Sequence, residues 1–377
     1  MYSESDLAQA VEAGVLTPEA ADAFRNHIAD SRSAPAVDEE HFRLLTGFND
    51  IFVAIAAALI LVAAARIGAY IGDGIARSGL GIVDGPRQIG ALMIGGGYTV
   101  AVTSWLLAEY FTRRRRMALP SILLLLAFVG GFAAGTAGVL GANAPWLAEQ
   151  FGILNDEVGE QRLAGGIGAI VGLLTAAAAW IHWRRFMVPI TVAAGALSIV
   201  GVGVALIVAF VPQARDQDVI NAMLLVAGLL VFAFAMRWDM SDLQRRTRRS
   251  DVAFWLHLAA APLIAHPIFH ALGVFDGQMA APMAVLVIAL YVAFAVVALA
   301  VDRRALLVSS LIYVLWAMYA LFNGTGNVEL SASLTALVIG WALLTLSAFW
   351  HPMRRSVVGV LGGLGDRLPP TQQAVAA

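Results

Sequence analysis

Residues 48–71 read FNDIFVAIAAALILVAAARIGAYI, an almost unbroken apolar run whose only charges are Asp50 and Arg66. The hydrocarbon core of a bilayer is about 30 Å thick and takes roughly 20 apolar residues as helix, so this run is long enough to cross one. Nine more runs of this kind follow, at 88–111, 117–140, 163–183, 187–211, 219–236, 252–272, 280–301, 305–322 and 330–350. None alternates apolar and polar residues over about ten positions, as the strands of a membrane barrel do. The composition agrees: 60% of the 377 residues are hydrophobic and 13% charged, with a mean hydropathy of +0.78. Soluble chains are about 45 to 50% apolar and about 25% charged, so the excess here has to face lipid. The expected class is an all-α integral membrane protein with about ten transmembrane helices.

Arginine sets the expected orientation. The chain has no lysine, and alternate turns between the runs carry Arg113 to Arg116, then Arg184 and Arg185, then Arg237, Arg245, Arg246, Arg248 and Arg249, then Arg303 and Arg304, and last Arg354 and Arg355. The opposite loops hold only Arg77, Arg87, Arg162 and Arg215. The excess of arginine on the cytoplasmic side places both chain ends inside. A miscount by one span would put an arginine-rich turn on the wrong side, so the alternation supports the number ten. The formal net charge of −2 gives no reason to expect a nucleic-acid partner. The absence of cysteine excludes disulfides and thiolate chemistry.

The polar segment before the first run, residues 1–42, reads as a cytoplasmic helical hairpin with a linker. Ser3 and Asp6 resemble a capping box, Gly14 stops the first helix, and Thr17 before Pro18 caps the second. The linker SRSAPAVDEE at 31–40 is too polar to bury a core. No basic stretch precedes a short apolar run, so no cleavable signal peptide is expected; the first span serves as the insertion signal. The expected domains are 1–42, the ten-span body at 43–350, and a cytoplasmic tail at 351–377. Within that tail, VVGVLGGLGDRL at 357–368 is too short to span, and it is expected to lie along the inner leaflet.

No nucleotide-binding loop, zinc-protease helix or nucleophile elbow occurs, so the chemistry-bearing candidates are polar groups within the spans, where they are costly and tend to be functional. The densest set is WLHLAAAPLIAHPIFHALG at 255–273. His266 and His270 are four apart and share a helix face, with Pro262 and Pro267 between and around them. They are candidates for a metal or proton site, with Asp276 as a third member, against the plainer reading of hydrated interfacial histidines. His257, about half a turn around and roughly 13 Å away along the axis, does not share that site. Arg66 either snorkels to the outer interface or meets an anion. Gly95, Gly96 and Gly97 interrupt the second span and either admit close helix packing or expose backbone to a ligand. Glu109 pairs with Arg113 one turn on, and His182 and His351 sit in aromatic belts. In the long loop 141–162, Trp146, Leu147 and Phe151 fit a short interfacial helix.

The strings AGVLTPEAADAF at 13–24 and RLLTGFNDIFV at 43–53, with the arginine-turned hairpins behind them, resemble an uncharacterised family of predicted bacterial polytopic inner-membrane proteins with a short N-terminal helical region. The resemblance implies a multi-pass protein of the bacterial inner membrane and carries no activity or cofactor with it. Three functions remain open: transport of a small solute or ion past His266, His270, Arg66 and Gly95 to Gly97; a membrane scaffold whose residues 1–42 recruit a protein partner; and an intramembrane metal-dependent enzyme.

Overall fold

The computed structural model describes residues 4–31, 48–79, 81, 85–153, 156–211, 216–243, 245, 247–274, 281–323 and 328–371. Two compact units are present, Met1–Leu44 and Leu45–Ala377. In the first, helices α1 (Glu4–Glu12) and α2 (Pro18–Ser31) form a hairpin. Gly14 makes the turn at φ +70°, in the left-handed region that glycine enters without strain. The Thr17 hydroxyl accepts from the Ala20 amide at 3.2 Å, the N-cap expected for that sequence. The Ser3 cap and the linker 32–47 lie outside the described residues.

The second unit is helical throughout, with no strand among the described residues. Its long helices are α3 (Phe48–Gly74), α4 (Gly85–Phe111), α5 (Ala118–Gln150), α6 (Glu157–Phe186), α7 (Ile190–Phe210), α8 (Gln217–Met240), α9 (Arg248–Ala271), α10 (Ala281–Val301), α11 (Ala305–Asn323) and α12 (Val328–Ala348). Each falls on one of the apolar runs. Among the described residues, seven helices, α3 to α9, are long and apolar enough to cross a membrane. An eighth is formed if α12 and α13 (Trp350–Val360), bent 74° apart, count as one broken span. Leu59, Leu106 and Leu230 are each at least 65% exposed along these helices, an exposure compatible with a lipid surround.

The chain packs as consecutive hairpins, and α9 lies between α7, α8 and α11. It is also the most buried of the candidate spans. Pro262 and Pro267 do not break it; it runs unbroken from Arg248 to Ala271. A different departure from expectation occurs in α5. The segment read as a separate interfacial helix around Trp146, Leu147 and Phe151 is instead the continuation of α5 through Pro145 to Gln150. Proline removes one backbone donor, but near a helix end that loss is tolerated, and the Phe151 amide closes the last turn on the Leu147 and Glu149 carbonyls.

Helix α4 is held between α3 and α5 by glycine. A Cβ on Gly97 would stand 2.5 Å from the Gly135 nitrogen and 2.6 Å from the Gly131 oxygen of α5. On the other side, Cβ atoms on Gly68, Gly72 or Gly95 would strike the backbone of the facing helix. Between lipid-embedded helices there is no hydrophobic gain in coming together, so close backbone approach supplies the attraction. Gly97→Val should therefore lower the thermal midpoint of the detergent-solubilised protein, by an overpacking cost of about 1–3 kcal/mol. Gly166→Ala, where a Cβ meets nothing within 4 Å, should leave the midpoint unchanged; equal effects would dissolve the seam.

Candidate functional sites

At the end of the bundle away from the arginine turns, the glycine seam opens into a cavity of about 590 Å³. Gly68, Gly72 and Ile75 of α3 and its π-turn, Ala91 and Gly95 of α4 and Ala142 of α5 supply its apolar walls. Arg87 and Asn143 supply its polar groups, and Thr99 turns its hydroxyl back onto the Gly95 carbonyl at 2.6 Å. The mouth is stiffened next door, where Asp73 accepts from Arg77 at 2.8 Å and from Gln88 at 2.8 Å. Arg87 takes no part in that network. Of the three glycines singled out in the sequence, Gly95 both packs on α3 and lines this cavity, whereas Gly96 faces Ala65 and Ala69 and Gly97 faces α5.

The other sequence candidates lie apart from it. Arg66 is exposed on α3. His266 and His270 stand side by side on α9, ring centroids 6.2 Å apart and half-buried. The Tyr313 hydroxyl of α11 lies 3.3 Å from the Nδ1 atom of His266. The Tyr313 ring stacks on Phe269 at 4.6 Å. Asp276 lies outside the described residues, and among those described no group of three or more His, Asp or Glu side chains is placed to hold a metal. Since α3 packs on α4 and α5 while α9 packs on α7, α8 and α11, Arg66 and the histidine pair belong to different parts of the bundle.

The feature that sequence reasoning missed is at the arginine-rich end. Asp239, at the last turn of α8, is 1% exposed. Its carboxylate lies 2.8 Å from His257 Nε2 and accepts from Arg303 Nη2 at 2.5 Å. Arg303 reaches it from the turn between α10 and α11 and also donates to the Ser250 carbonyl and hydroxyl, both at 3.1 Å. The neighbouring Asp302 is 2% exposed. It accepts from Arg245 Nη1 at 2.9 Å and from Trp350 Nε1 at 2.8 Å, and Arg354 Nε lies 3.4 Å away. Arg354 then donates to the carbonyls of Pro369 and Pro370, drawing the tail in. Asp302 itself sits at φ 60° just past α10, the helix-ending conformation usually left to glycine. Aspartate tolerates it, and here its carboxylate is needed.

His257, read as separate from the His266 pair, is indeed separate, and its partner is Asp239. Two other readings are revised. Glu109 meets Arg113 at 3.3 Å, but its stronger partner is Arg185 of α6, held by two bonds of 2.6 and 2.9 Å. His182 is no belt residue: it is 1% exposed, among Trp105, Phe128 and Phe186. The signal for the ionic cluster was present as aspartates close to arginines, Arg237-Trp238-Asp239 and Asp302-Arg303, but a charge in an arginine turn reads as solvated until the turns are seen to meet.

Removing one partner from a buried ion pair strands the other charge, at about 3–5 kcal/mol. Asp239→Ala should thus cost far more thermal stability than the exposed change Arg113→Ala, and the double change Asp239→Leu with Arg303→Met should recover part of the loss. Equal midpoints for Asp239→Ala and Arg113→Ala would show that the cluster is hydrated. No protein family model matches this sequence, and neither a curated protein nor a solved structure is significantly similar to it.

Proposed function

We propose that this chain is a ten-span protein of the bacterial inner membrane, with both ends in the cytoplasm, that binds a small solute in the cleft of α3, α4 and α5 and carries it across. What supports the topology is the meeting of arginine turns at one end: Glu109 with Arg185, Arg245 with Asp302, and Arg303 with Asp239. The chain has no cysteine of its own, so single replacements test the count directly. Ser78→Cys, Gln278→Cys and Gly326→Cys should react with an impermeant maleimide in whole cells; Arg114→Cys and Ser241→Cys should react only after lysis. Labelling of Gly326→Cys from the inside alone would remove the last two spans.

The observation that carries the solute reading is the 590 Å³ cavity, with bare glycine backbone in its walls and Arg87 and Asn143 as its polar groups. Its size is that of a small-molecule site, and mostly apolar walls with a few placed polar groups are what such sites have. The match is to a compact solute with an apolar body and one anionic or hydrogen-bonding end. His266, His270 and Tyr313 supply a second polar locus across the bundle, suited to a proton or cation. The metal-enzyme reading has no third ligand among the described residues to set beside that pair, and transport is preferred to it.

Binding is tested before flux. A panel of short-chain carboxylates, amides and alcohols is screened for a rise in the thermal midpoint of the solubilised protein, since a ligand that prefers the folded state stabilises it by RT ln(1 + [L]/Kd). The expected hit loses its effect in Arg87→Gln and in Asn143→Phe, which fills the cavity without touching the glycine seam. A hit unaffected by both variants would place the site elsewhere, and liposome flux unchanged in His266→Ala/His270→Ala would take the histidines off the path.

The scaffold reading keeps one supporting observation, that Met1–Leu44 forms a compact unit of its own. If this hairpin recruits a protein partner, a pull-down with the full chain should recover proteins that a chain lacking residues 1–40 does not.

A further inference from the structure

Helix α13 carries three different faces. It follows α12 after a 74° bend, so it runs nearly across the direction of that helix. Trp350 and Arg354 point into the bundle, at 2% and 1% exposure, and are pinned to Asp302 as described. Met353 and Val360 are 39% and 88% exposed, and Val357 between them is half-buried. At about 100° per residue, Met353, Val357 and Val360 fall within roughly 60° of one another, with the 54%-exposed Phe349 just ahead of them. His351 and Arg355, both exposed, fall on the opposite side. The same end of the bundle holds the exposed Arg248 and Arg249 at the start of α9 and Arg304, whose guanidinium stacks over Trp350 at 4.7 Å.

An apolar stripe left uncovered by the rest of the chain needs an occupant. A helix lying across the span direction, with a polar side carrying the cation Arg355 opposite its apolar stripe and an anchored third face between, has the form of a helix resting in a membrane interface. We infer that α13 docks on the anionic cytoplasmic leaflet, with Met353, Val357 and Val360 at the acyl boundary and His351 and Arg355 among the lipid phosphates. A protein occupant would have to lie between α13 and the bilayer that its own helix bundle crosses. A lipid surface needs no such room, and the cationic side complements phospholipid charge. The sequence alone put the expected leaflet contact at 357–368; this inference, which rests on the topology proposed above, starts it at the bend at Phe349.

The test uses the full chain, which lacks cysteine, in nanodiscs of phosphatidylcholine alone or with added phosphatidylglycerol. Met353→Cys and Val360→Cys, each labelled with an environment-sensitive nitrobenzoxadiazole dye, should shift to the blue. They should be quenched by lipid bearing a spin label high on the acyl chain. His351→Cys with the same dye should instead be quenched by aqueous iodide. Phosphatidylglycerol should deepen the lipid quenching at Met353→Cys, and added salt or Arg355→Gln should cancel that gain. Iodide quenching of both apolar-face dyes would overturn the proposal, with either variant sufficient should the other fail to fold. Lipid quenching that ignores phosphatidylglycerol would overturn the anionic-leaflet assignment. Blue-shifted dyes reached by neither quencher would mean that protein covers the stripe, and would overturn it too.

Discussion

Two carboxylates, Asp239 and Asp302, hold the arginine-rich end of the bundle together. In each case one acid, buried to within about two per cent, collects partners from helices and turns far apart in sequence: His257 and Arg303 on the first; Arg245 and Trp350 by hydrogen bonds, and Arg354 by charge alone, on the second. A buried charge is costly unless it is paired and its remaining hydrogen bonds are satisfied. That cost makes the arrangement selective. Only a packing that brings α8, α9, the α10–α11 turn and α13 to one point satisfies both acids, and the bend before α13 is what carries Trp350 and Arg354 there. On the cavity side, among the described residues, the polar network at Asp73 is small and at the mouth, and α3, α4 and α5 are matched by shape, glycine against backbone.

The two ends therefore use the two means of helix association open to a membrane protein, close contact of small residues and polar bonding. The contrast bears on where a ligand fits. A seam of glycines leaves room as soon as the helices diverge, and the cavity lies alongside Gly68, Gly72 and Gly95, which pack on the facing helix and also line it. An ionic cluster leaves no such room, because every polar atom withdrawn from it has to be compensated. The cavity among α3, α4 and α5 and the ionic clamp at the opposite end are thus consequences of the same sequence, which places most of its glycines in its first half and the buried Asp239 and Asp302 in its second.

How much of this was legible in the sequence follows from the range of each signal. Hydropathy is local, so the helices fell where the apolar runs are. Thr17 as a cap and Gly14 as a stop are local too. The reading went astray where the deciding partner is distant. Glu109 had a satisfactory neighbour four residues on, and nothing in the sequence showed that Arg185, across a turn, offers it two bonds. His182 beside Trp183 looked interfacial because Trp105 and Phe128, which enclose it, lie on other helices. Trp146, Leu147 and Phe151 looked like a separate interfacial helix, yet a proline near a helix end costs little and α5 continues through Pro145 to Gln150. Of the candidate site, Gly95 was found through its interruption of an apolar run, whereas Arg87 and Asn143 flank their spans and have no periodic or spacing signal.

The arginines show how one residue type serves two purposes that do not conflict. Under the proposed topology the charge bias that orients a span acts as the loop meets the membrane, and there Arg245, Arg303 and Arg354 count in the alternation alongside Arg113 to Arg116. In the packed protein those three are withdrawn from water and matched to Asp239 and Asp302, while Arg113 and Arg185 share Glu109 at the surface. Withdrawal after insertion does not undo an orientation already set, because reversing it would drag the whole hairpin back through hydrocarbon. Under the proposed topology an arginine in such a turn therefore does two things: its place in the alternation sets the side on which the turn lies, and the buried carboxylate it reaches ties one turn to another.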